Sequence, residues 1–264
     1  MSRVLKLRWI SLLAGCAVAA IALPACASTQ SAAQADTLTV FAAASLKNPF
    51  EKLERAYESR YPQTAVVLAT AGSSTLARQL IDGASVDVFA SASSTQIQQV
   101  AAAGLLVADP DTFASNEAIP VRSLGSPVTD LSQFGDDRYR IALCAQAVPC
   151  GQAADQLLDR ADVATPNASR ETDVLAVAGK VASGEADAGV VYASDLQHSD
   201  GRLTLIESPN VAPVTSQYEI AILKSARDNP SAADWVALVT GPVGQAVLRD
   251  AGFGPAQSSG LADG

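Results

Sequence analysis

The sequence is short of the residue types on which most catalytic sites depend. Its one histidine, His198, lies in the polar stretch Gln197-His198-Ser199-Asp200, and it has no Gly-x-Ser-x-Gly elbow, so a Ser–His–Asp apparatus is not indicated. It also lacks a Walker loop and a dinucleotide fingerprint. Neither the histidine nor the spacing of the aspartates matches a metal-ligand set. We therefore expect no catalytic centre, no cofactor and no free metal cation.

Basic residues are also scarce. The chain has 18 Lys and Arg against 27 Asp and Glu, a net charge of −9. Three of the basic residues, Arg3, Lys6 and Arg8, precede the first acidic residue, Asp36, so removal of the N-terminal segment would leave 15 against 27, a net charge of −12. A nucleic-acid ligand is not expected, because neutralising phosphates requires Lys and Arg. An anion would have to be held by local dipoles instead.

The N-terminal segment is typical of an export signal. Arg3, Lys6 and Arg8 precede an apolar run, and small and polar residues follow it. We predict a signal peptide over residues 1–25 and a flexible tether over 26–37. Cleavage before Cys26 is favoured, with Cys26 lipid-modified and the protein held on the outer face of the membrane. The alternatives are lipidation at Cys16, or a soluble periplasmic protein that starts at Asp36.

Two further cysteines, Cys144 and Cys150, lie close together in the sequence. In an exported protein a disulfide is the default interpretation of such a pair. Because the loop between them is short, the chain-entropy model assigns the bridge only roughly 2 kcal/mol. Two free thiols are the alternative.

Apolar strands and amphipathic helices alternate along the rest of the chain. This order predicts an α/β fold with mainly parallel sheets and helices on both faces. A second, similar unit starts near residue 119, and no linker separates the two. We therefore predict two lobes, lobe I over 38–117 plus 217–256 and lobe II over 118–216, joined by two crossing strands, with a loose tail over 257–264. Ligands of such sheets bind beyond the carboxyl ends of the strands.

Four predicted helices begin directly after a strand or loop. Their first residues carry hydroxyls or free backbone N–H groups, and a helix N-terminus favours anions. Taken alone, any one of them is better explained as an ordinary helix cap, and a tyrosine that ends a strand is better explained as a sheet-edge anchor. Four such starts, two per lobe, favour a shared oxyanion pocket. The candidate groups lie at Ser45, Ser73, Cys150, Val174 and Tyr192.

Four segments resemble the periplasmic molybdate-binding proteins of ABC importers. They are Val40-Phe41-Ala42-Ala43-Ala44-Ser45-Leu46, Gly72-Ser73-Ser74-Thr75-Leu76-Ala77-Arg78-Gln79-Leu80, Asp87-Val88-Phe89-Ala90-Ser91-Ala92 and Gly189-Val190-Val191-Tyr192-Ala193-Ser194-Asp195. The likeness runs in order over about residues 38–253. It implies a two-lobe, type II periplasmic-binding-protein fold with a ligand in the interlobe cleft.

By position, the resemblance implies a role for each candidate residue. Ser45 and Ser73 would donate hydroxyl and backbone hydrogen bonds to the oxyanion, Cys150 and Val174 their backbone N–H groups, and Tyr192 its phenol. In this family a small residue, usually alanine, stands where this chain has Cys150, and the segment 170–180 aligns only loosely.

We therefore expect a monomeric receptor that binds molybdate, and tungstate with it, and delivers the anion to an ABC importer permease. Another tetrahedral oxyanion such as sulfate is the nearest alternative ligand. An exported serine hydrolase that uses Ser45 or Ser73, or an adhesive surface protein, are the alternatives of other classes.

Overall fold

The structure, a computed structural model, describes residues 36–256. The predicted signal peptide, the lipidated Cys26, the tether up to residue 35 and the tail over 257–264 lie outside the described residues. Within the described range, no helix combines the length and the apolar character needed to cross a bilayer.

Strands and helices alternate as the sequence predicts. The strands are β1 Asp36–Ala43, β2 Thr64–Ala71, β3 Val88–Ser91, β4 Asp111–Ser123, β5 Ile141–Cys144, β6 Ser169–Glu171, β7 Ala188–Tyr192, β8 Leu203–Leu205 and β9 Val214–Ile222. The helices are α1 Lys47–Arg60, α2 Ser73–Ile81, α3 Ser94–Ala102, α4 Pro149–Arg160, α5 Val174–Ala182, α6 Ala193–Gln197, α7 Pro230–Thr240 and α8 Pro242–Asp250. A short 3-10 turn, Ala44–Leu46, joins β1 to α1.

Over residues 36–256 the strands form one hydrogen-bonded path in the order β2-β1-β3-β9-β4-β7-β5-β6, with β8 on β4. Its two ends are parallel: β1 pairs with β2 and β3, and β5 pairs with β6 and β7. The middle is antiparallel, because β9 and β4 pair with each other and with the flanking strands. These two long strands are the predicted crossing strands.

The core follows the same division. One buried apolar cluster is built mainly from residues between 118 and 214, and two others from residues 38–114 and 218–253. The strands β3, β5 and β7 are buried at every position, because helices cover both faces of the sheet there. Ala44 precedes residue 118 in the sequence but packs into the 118–214 cluster. The bounds of the two lobes stay a prediction.

The predicted α/β class is confirmed. Among the strands and α-helices, four features were not predicted: β6, β8, the short helix α6 and the first half of β4. The strands β6 and β8 have three residues each, too short for a periodic pattern, and they are specified by the neighbours they pair with.

Candidate functional site

The carboxyl ends of several strands meet at one place in the sheet, and helices start there. The 3-10 turn follows β1, α2 follows β2, and α4 and α5 start after β5 and β6. Their first residues enclose a cavity of about 20 Å³. It is lined by Ala43, Ala44, Ser45, Gly72, Ser73, Ala92, Pro149, Cys150, Asp173, Val174 and Tyr192. All five residues predicted to contact a ligand are therefore brought together, although 147 positions separate Ser45 from Tyr192 in the sequence.

Ser45 lies in the 3-10 turn and is buried. No side chain caps this turn, so its first N–H groups have no acceptor within it. The Ser45 Oγ lies 2.8 Å from the hydroxyl oxygen of Tyr218, a fully buried residue of β9. The hydroxyl of Ser45 is thus held in place by a residue 173 positions away in the sequence.

Ser73 is the first residue of α2, and the helix has no side-chain cap. Its N–H is one of the donors that a helix N-terminus leaves without an intrahelical acceptor. The N–H of Ala92 donates to Ser73 Oγ at 3.1 Å. Because the Oγ accepts this bond, the Ser73 proton remains available for an acceptor in the cavity.

Cys150 is the second residue of α4, which has Pro149 at its start and no side-chain cap. The predicted disulfide is present: Cys144 and Cys150 are bonded, with their Cα atoms 5.7 Å apart. The bridge ties the end of β5 to the start of α4. The next residue, Gly151, packs so closely against the backbone that a Cβ there would overlap the carbonyl oxygen of Ala145. The disulfide and the close packing of Gly151 together hold the loop that presents the Cys150 N–H.

Val174 is the first residue of α5. The helix is capped by Asp173, whose Oδ1 accepts the N–H of Ala176 at 3.0 Å. A cap of this kind satisfies a donor of the third helical position and leaves the Val174 N–H without an intrahelical acceptor. The side chain of Val174 is buried, so only its backbone can act as a donor.

Tyr192 ends β7, and its ring is buried. Its hydroxyl oxygen lies 3.2 Å from Ser216 Oγ. Burial raises the pKa of the Tyr192 phenol well above its ordinary value, so the group is neutral and keeps its proton. Its N–H donates to Asp195 Oδ2 at 2.9 Å, and burial raises the pKa of that carboxyl to about 7.

The cavity is lined without lysine, arginine or histidine. His198 lies elsewhere, with its Nδ1 2.7 Å from the carbonyl oxygen of Ser194. Across residues 36–256 no group of three or more His, Cys, Asp or Glu side chains could hold a metal ion. The lining thus offers uncharged hydroxyl and N–H donors around a small space, together with the carboxyl group of Asp173, which caps α5.

Sequence reasoning missed three residues of this region. Gly72 lies where β2 meets α2, and a Cβ there would come within 2.8 Å of the carbonyl oxygen of Thr172. Tyr218 holds Ser45, and Asp195 accepts the N–H of Tyr192. Gly72 could have been found from the sequence, because a Gly-Ser pair is typical of a turn. The contacts of Tyr218 and Asp195 could not, because they form only in the folded protein.

Known proteins resemble the chain over nearly all of the described range. The profile of the bacterial extracellular solute-binding proteins matches residues 38–254. The molybdate-binding protein ModA of Mycobacterium tuberculosis is 37% identical over 261 residues, covering 94% of this chain and 99% of that protein. The structure of the Azotobacter vinelandii periplasmic molybdate-binding protein has a TM-score of 0.72 at 22% identity, over 83% of this chain and 100% of that one.

A second solved structure is equally similar in shape. The sulfate-binding protein SubI of Mycobacterium tuberculosis has a TM-score of 0.73 at 13% identity, over 84% of this chain and 88% of that one. At these identities both structures speak to the fold alone, and they confirm the predicted periplasmic-binding-protein fold.

Proposed function

The chain belongs to the bacterial extracellular solute-binding protein family, and from this premise we propose that it is a receptor that binds molybdate outside the cytoplasm and delivers it to an ABC importer. The observation that carries the proposal is the convergence of Ser45, Ser73, Cys150, Val174 and Tyr192 on one small cavity. The 37% identity to a molybdate-binding protein supports the choice of ligand.

The donors suit a fully deprotonated tetrahedral oxyanion. Molybdate carries two negative charges and offers only acceptors, so each hydroxyl and N–H around it can donate a bond. Hydrogen bonds to a charged acceptor are stronger than those between neutral groups. A ligand with a proton would point its O–H at a donor and leave a buried donor unpaired, which costs about 1–3 kcal/mol.

The size of the cavity restricts the ligand further. At about 20 Å³ it is far smaller than the roughly 300–1,000 Å³ of sites for organic ligands. Sugars, peptides and nucleotides are therefore poor candidates. Tungstate has almost the same size and charge as molybdate, and we propose that it binds as well.

Sulfate is the competing ligand. The shape of the fold does not decide between the two anions, because the TM-scores to the molybdate-binding and sulfate-binding structures differ by only 0.01. The choice of molybdate rests on the sequence identity to ModA and on the serine-bearing motifs around Ser45 and Ser73.

Binding without catalysis is the proposed activity. A serine nucleophile needs a base within hydrogen-bonding reach, and the partner of the Ser45 hydroxyl is the phenol of Tyr218. The Ser73 oxygen accepts a backbone N–H from Ala92. Both contacts support a role in orienting donors.

We further propose that the cavity lies between two lobes, residues 38–117 plus 217–256 and residues 118–216, which close over the anion. Support comes from the close approach of Gly72 to the carbonyl of Thr172, and from Ala44 packing into the 118–214 cluster. Closure of this kind gives the ligand-bound receptor a different shape from the empty one, and the permease can distinguish the two.

Attachment at the membrane is a separate proposal. The sequence supports lipidation at Cys26, with the receptor acting as a monomer. Mass spectrometry of the mature N-terminus tests the anchor: an acylated Cys26 is expected, and an unmodified start at Asp36 would contradict it. Sedimentation of the protein without its lipid tests the monomer.

Calorimetric titration of the purified protein tests the function. We expect tight binding of molybdate and tungstate at one site per chain, with much weaker binding of sulfate and phosphate. Saturating molybdate should also raise the melting temperature, because a ligand at 100 times its Kd adds about 2.7 kcal/mol to stability. Preference for sulfate over molybdate would replace the proposed ligand, and no heat with any oxyanion would refute the proposal.

A further inference from the structure

A buried hydrogen-bonded chain lies behind the cavity, on the two crossing strands. Tyr218 of β9 contacts Ser45 Oγ at 2.8 Å, and Asn116 of β4 is a further polar neighbour of the Tyr218 hydroxyl. Asn116 in turn donates to Ser194 Oγ at 2.8 Å and accepts the N–H of Ser194 at 3.4 Å. Tyr218, Asn116 and Ser194 are all at most 3% exposed.

Few protons are available for the hydrogen bonds among these buried side chains. A phenol has one proton to donate, and it can accept through its oxygen. Burial raises the pKa of Tyr218 well above its ordinary value, so the phenol is neutral and carries that proton. The amide nitrogen of Asn116 can only donate, so it can place a proton toward the Tyr218 oxygen but cannot take one from it.

At this distance either oxygen of the Ser45–Tyr218 pair can be the donor. In the arrangement that leaves Ser45 free to donate to an anion, Tyr218 gives its proton to Ser45 Oγ. The Ser45 hydroxyl accepts this bond, and its own proton turns to the cavity. The Tyr192 hydroxyl, 3.2 Å from Ser216 Oγ, is another polar neighbour of Tyr218.

We propose that Tyr218 is a positioning residue that fixes the Ser45 hydroxyl as a donor toward the oxyanion, and that this polarity sets the preference for ligands without a proton. The inference rests on the proposed function and adds a residue and a cause of selectivity to it. If Ser45 were free to rotate, its oxygen could accept a bond from a protonated ligand. The hydrogen bond from Tyr218 prevents the Ser45 oxygen from accepting a bond from the ligand.

The test compares molybdate with inorganic phosphate, which carries at least one proton at neutral pH. Kd values for molybdate and competition constants for phosphate are measured for the wild type and for Tyr218→Phe. We expect molybdate binding to weaken about tenfold, the effect of losing one oriented hydrogen bond. Phosphate binding should stay equal or strengthen, so the molybdate-to-phosphate ratio falls at least tenfold.

Tyr57→Phe is the matched control. Tyr57 is equally buried and also donates one hydrogen bond, to the carbonyl oxygen of Ser231 at 3.2 Å, away from the cavity. It should leave both Kd values unchanged. The double variant Ser45→Ala/Tyr218→Phe should bind molybdate no more weakly than Ser45→Ala, because Tyr218 acts through Ser45.

The outcomes separate the two proposals. A wild type that does not bind molybdate refutes the function itself. A wild type that binds molybdate, with an unchanged molybdate-to-phosphate ratio in a folded Tyr218→Phe protein, overturns the role of Tyr218. If Tyr218→Phe fails to fold by circular dichroism, Asn116→Ala gives the same test. It removes a polar neighbour of the Tyr218 hydroxyl, so a lower ratio is again expected and an unchanged one overturns the inference.

Discussion

The two sides of the cavity hold their donors in different ways. Ser45 and Ser73, the first donor pair, present hydroxyls that are oriented by hydrogen bonds with Tyr218 and with the N–H of Ala92. Cys150 and Val174, the second donor pair, present backbone N–H groups that are oriented by a disulfide and by the cap Asp173. Side-chain substitutions can therefore remove a donor of the first pair, whereas the second pair is tested only by disturbing the backbone.

The largest effect is expected at Gly151, in the second pair. In Gly151→Ala the new Cβ would collide with the carbonyl of Ala145, and the start of α4 would have to move. Overpacking costs about 1–3 kcal/mol of stability, and displacing the Cys150 N–H should weaken molybdate binding at least about a hundredfold. Thermal denaturation and calorimetry measure the two losses.

Gly179→Ala is the control for that substitution. A Cβ at Gly179 of α5 meets nothing within 4 Å, so alanine should stabilise the helix by about 0.5–1 kcal/mol and leave binding unchanged. Equal affinities of the two variants would show that the Cys150 loop is not part of the site.

Removal of a hydroxyl from the first pair should have the next largest effect. Ser45→Ala and Ser73→Ala each lose a hydrogen bond to a charged acceptor, worth about 1.5–3 kcal/mol or roughly 10- to 100-fold in Kd. Thr75→Ala, at an exposed position of α2, should change Kd less than about twofold. If either serine variant binds molybdate as the wild type does, that serine is not a ligand contact.

Gly72→Ala tests how closely the two sides approach. The added Cβ would meet the carbonyl of Thr172 at 2.8 Å and Val148 Cγ1 at 3.3 Å, so the cavity would close incompletely and Kd should rise about tenfold. An open form without ligand relieves the contact, so the melting temperature of the ligand-free protein should change little. A large fall in that temperature with unchanged affinity would contradict closure.

Loss of the disulfide should have a smaller effect on binding. Cys144→Ser keeps the Cys150 N–H but frees the loop, which should lower the unfolding free energy by about 2 kcal/mol and weaken binding about fivefold through the cost of ordering. Chemical denaturation and calorimetry with and without a reductant measure both. The reductant should leave Cys144→Ser unchanged.

The smallest effect on binding is expected from the pH dependence of Asp195, behind Tyr192. Its folded pKa of about 7 lies above the ordinary 3.8, because burial disfavours the charged form and Asp173 adds to the shift. Its contribution to stability is therefore full below about pH 4 and is lost as pH rises toward 7. Asp195→Asn should be more stable than the wild type at pH 8, and this difference in stability should be smaller at pH 5.

Molybdate should bind slightly better when Asp195 is protonated, because a neutral group does not repel the dianion. From pH 6 to pH 8 the wild-type Kd should rise about threefold, and the Kd of Asp195→Asn should stay flat. Parallel curves for the two proteins would show that Asp195 is not coupled to the site.

Much of the fold could be predicted from the sequence, because the strands and helices around Ser45 and Ser73 have strong apolar patterns and clear helix starts. The strands β6 and β8 could not, since their three residues pair only after the sheet exists. The site shows the same limit. The five lining residues follow local helix starts and a family resemblance, but the bond from Tyr218 to Ser45 spans 173 residues and has no local signal.

The most direct measurement is a crystal structure of the protein grown with molybdate, with anomalous data at the molybdenum absorption edge. The account predicts a single strong peak in the cavity, with oxygens about 2.7–3.2 Å from the donors on Ser45, Ser73, Cys150, Val174 and Tyr192. A molybdenum peak elsewhere in the molecule, with the cavity empty, would contradict it.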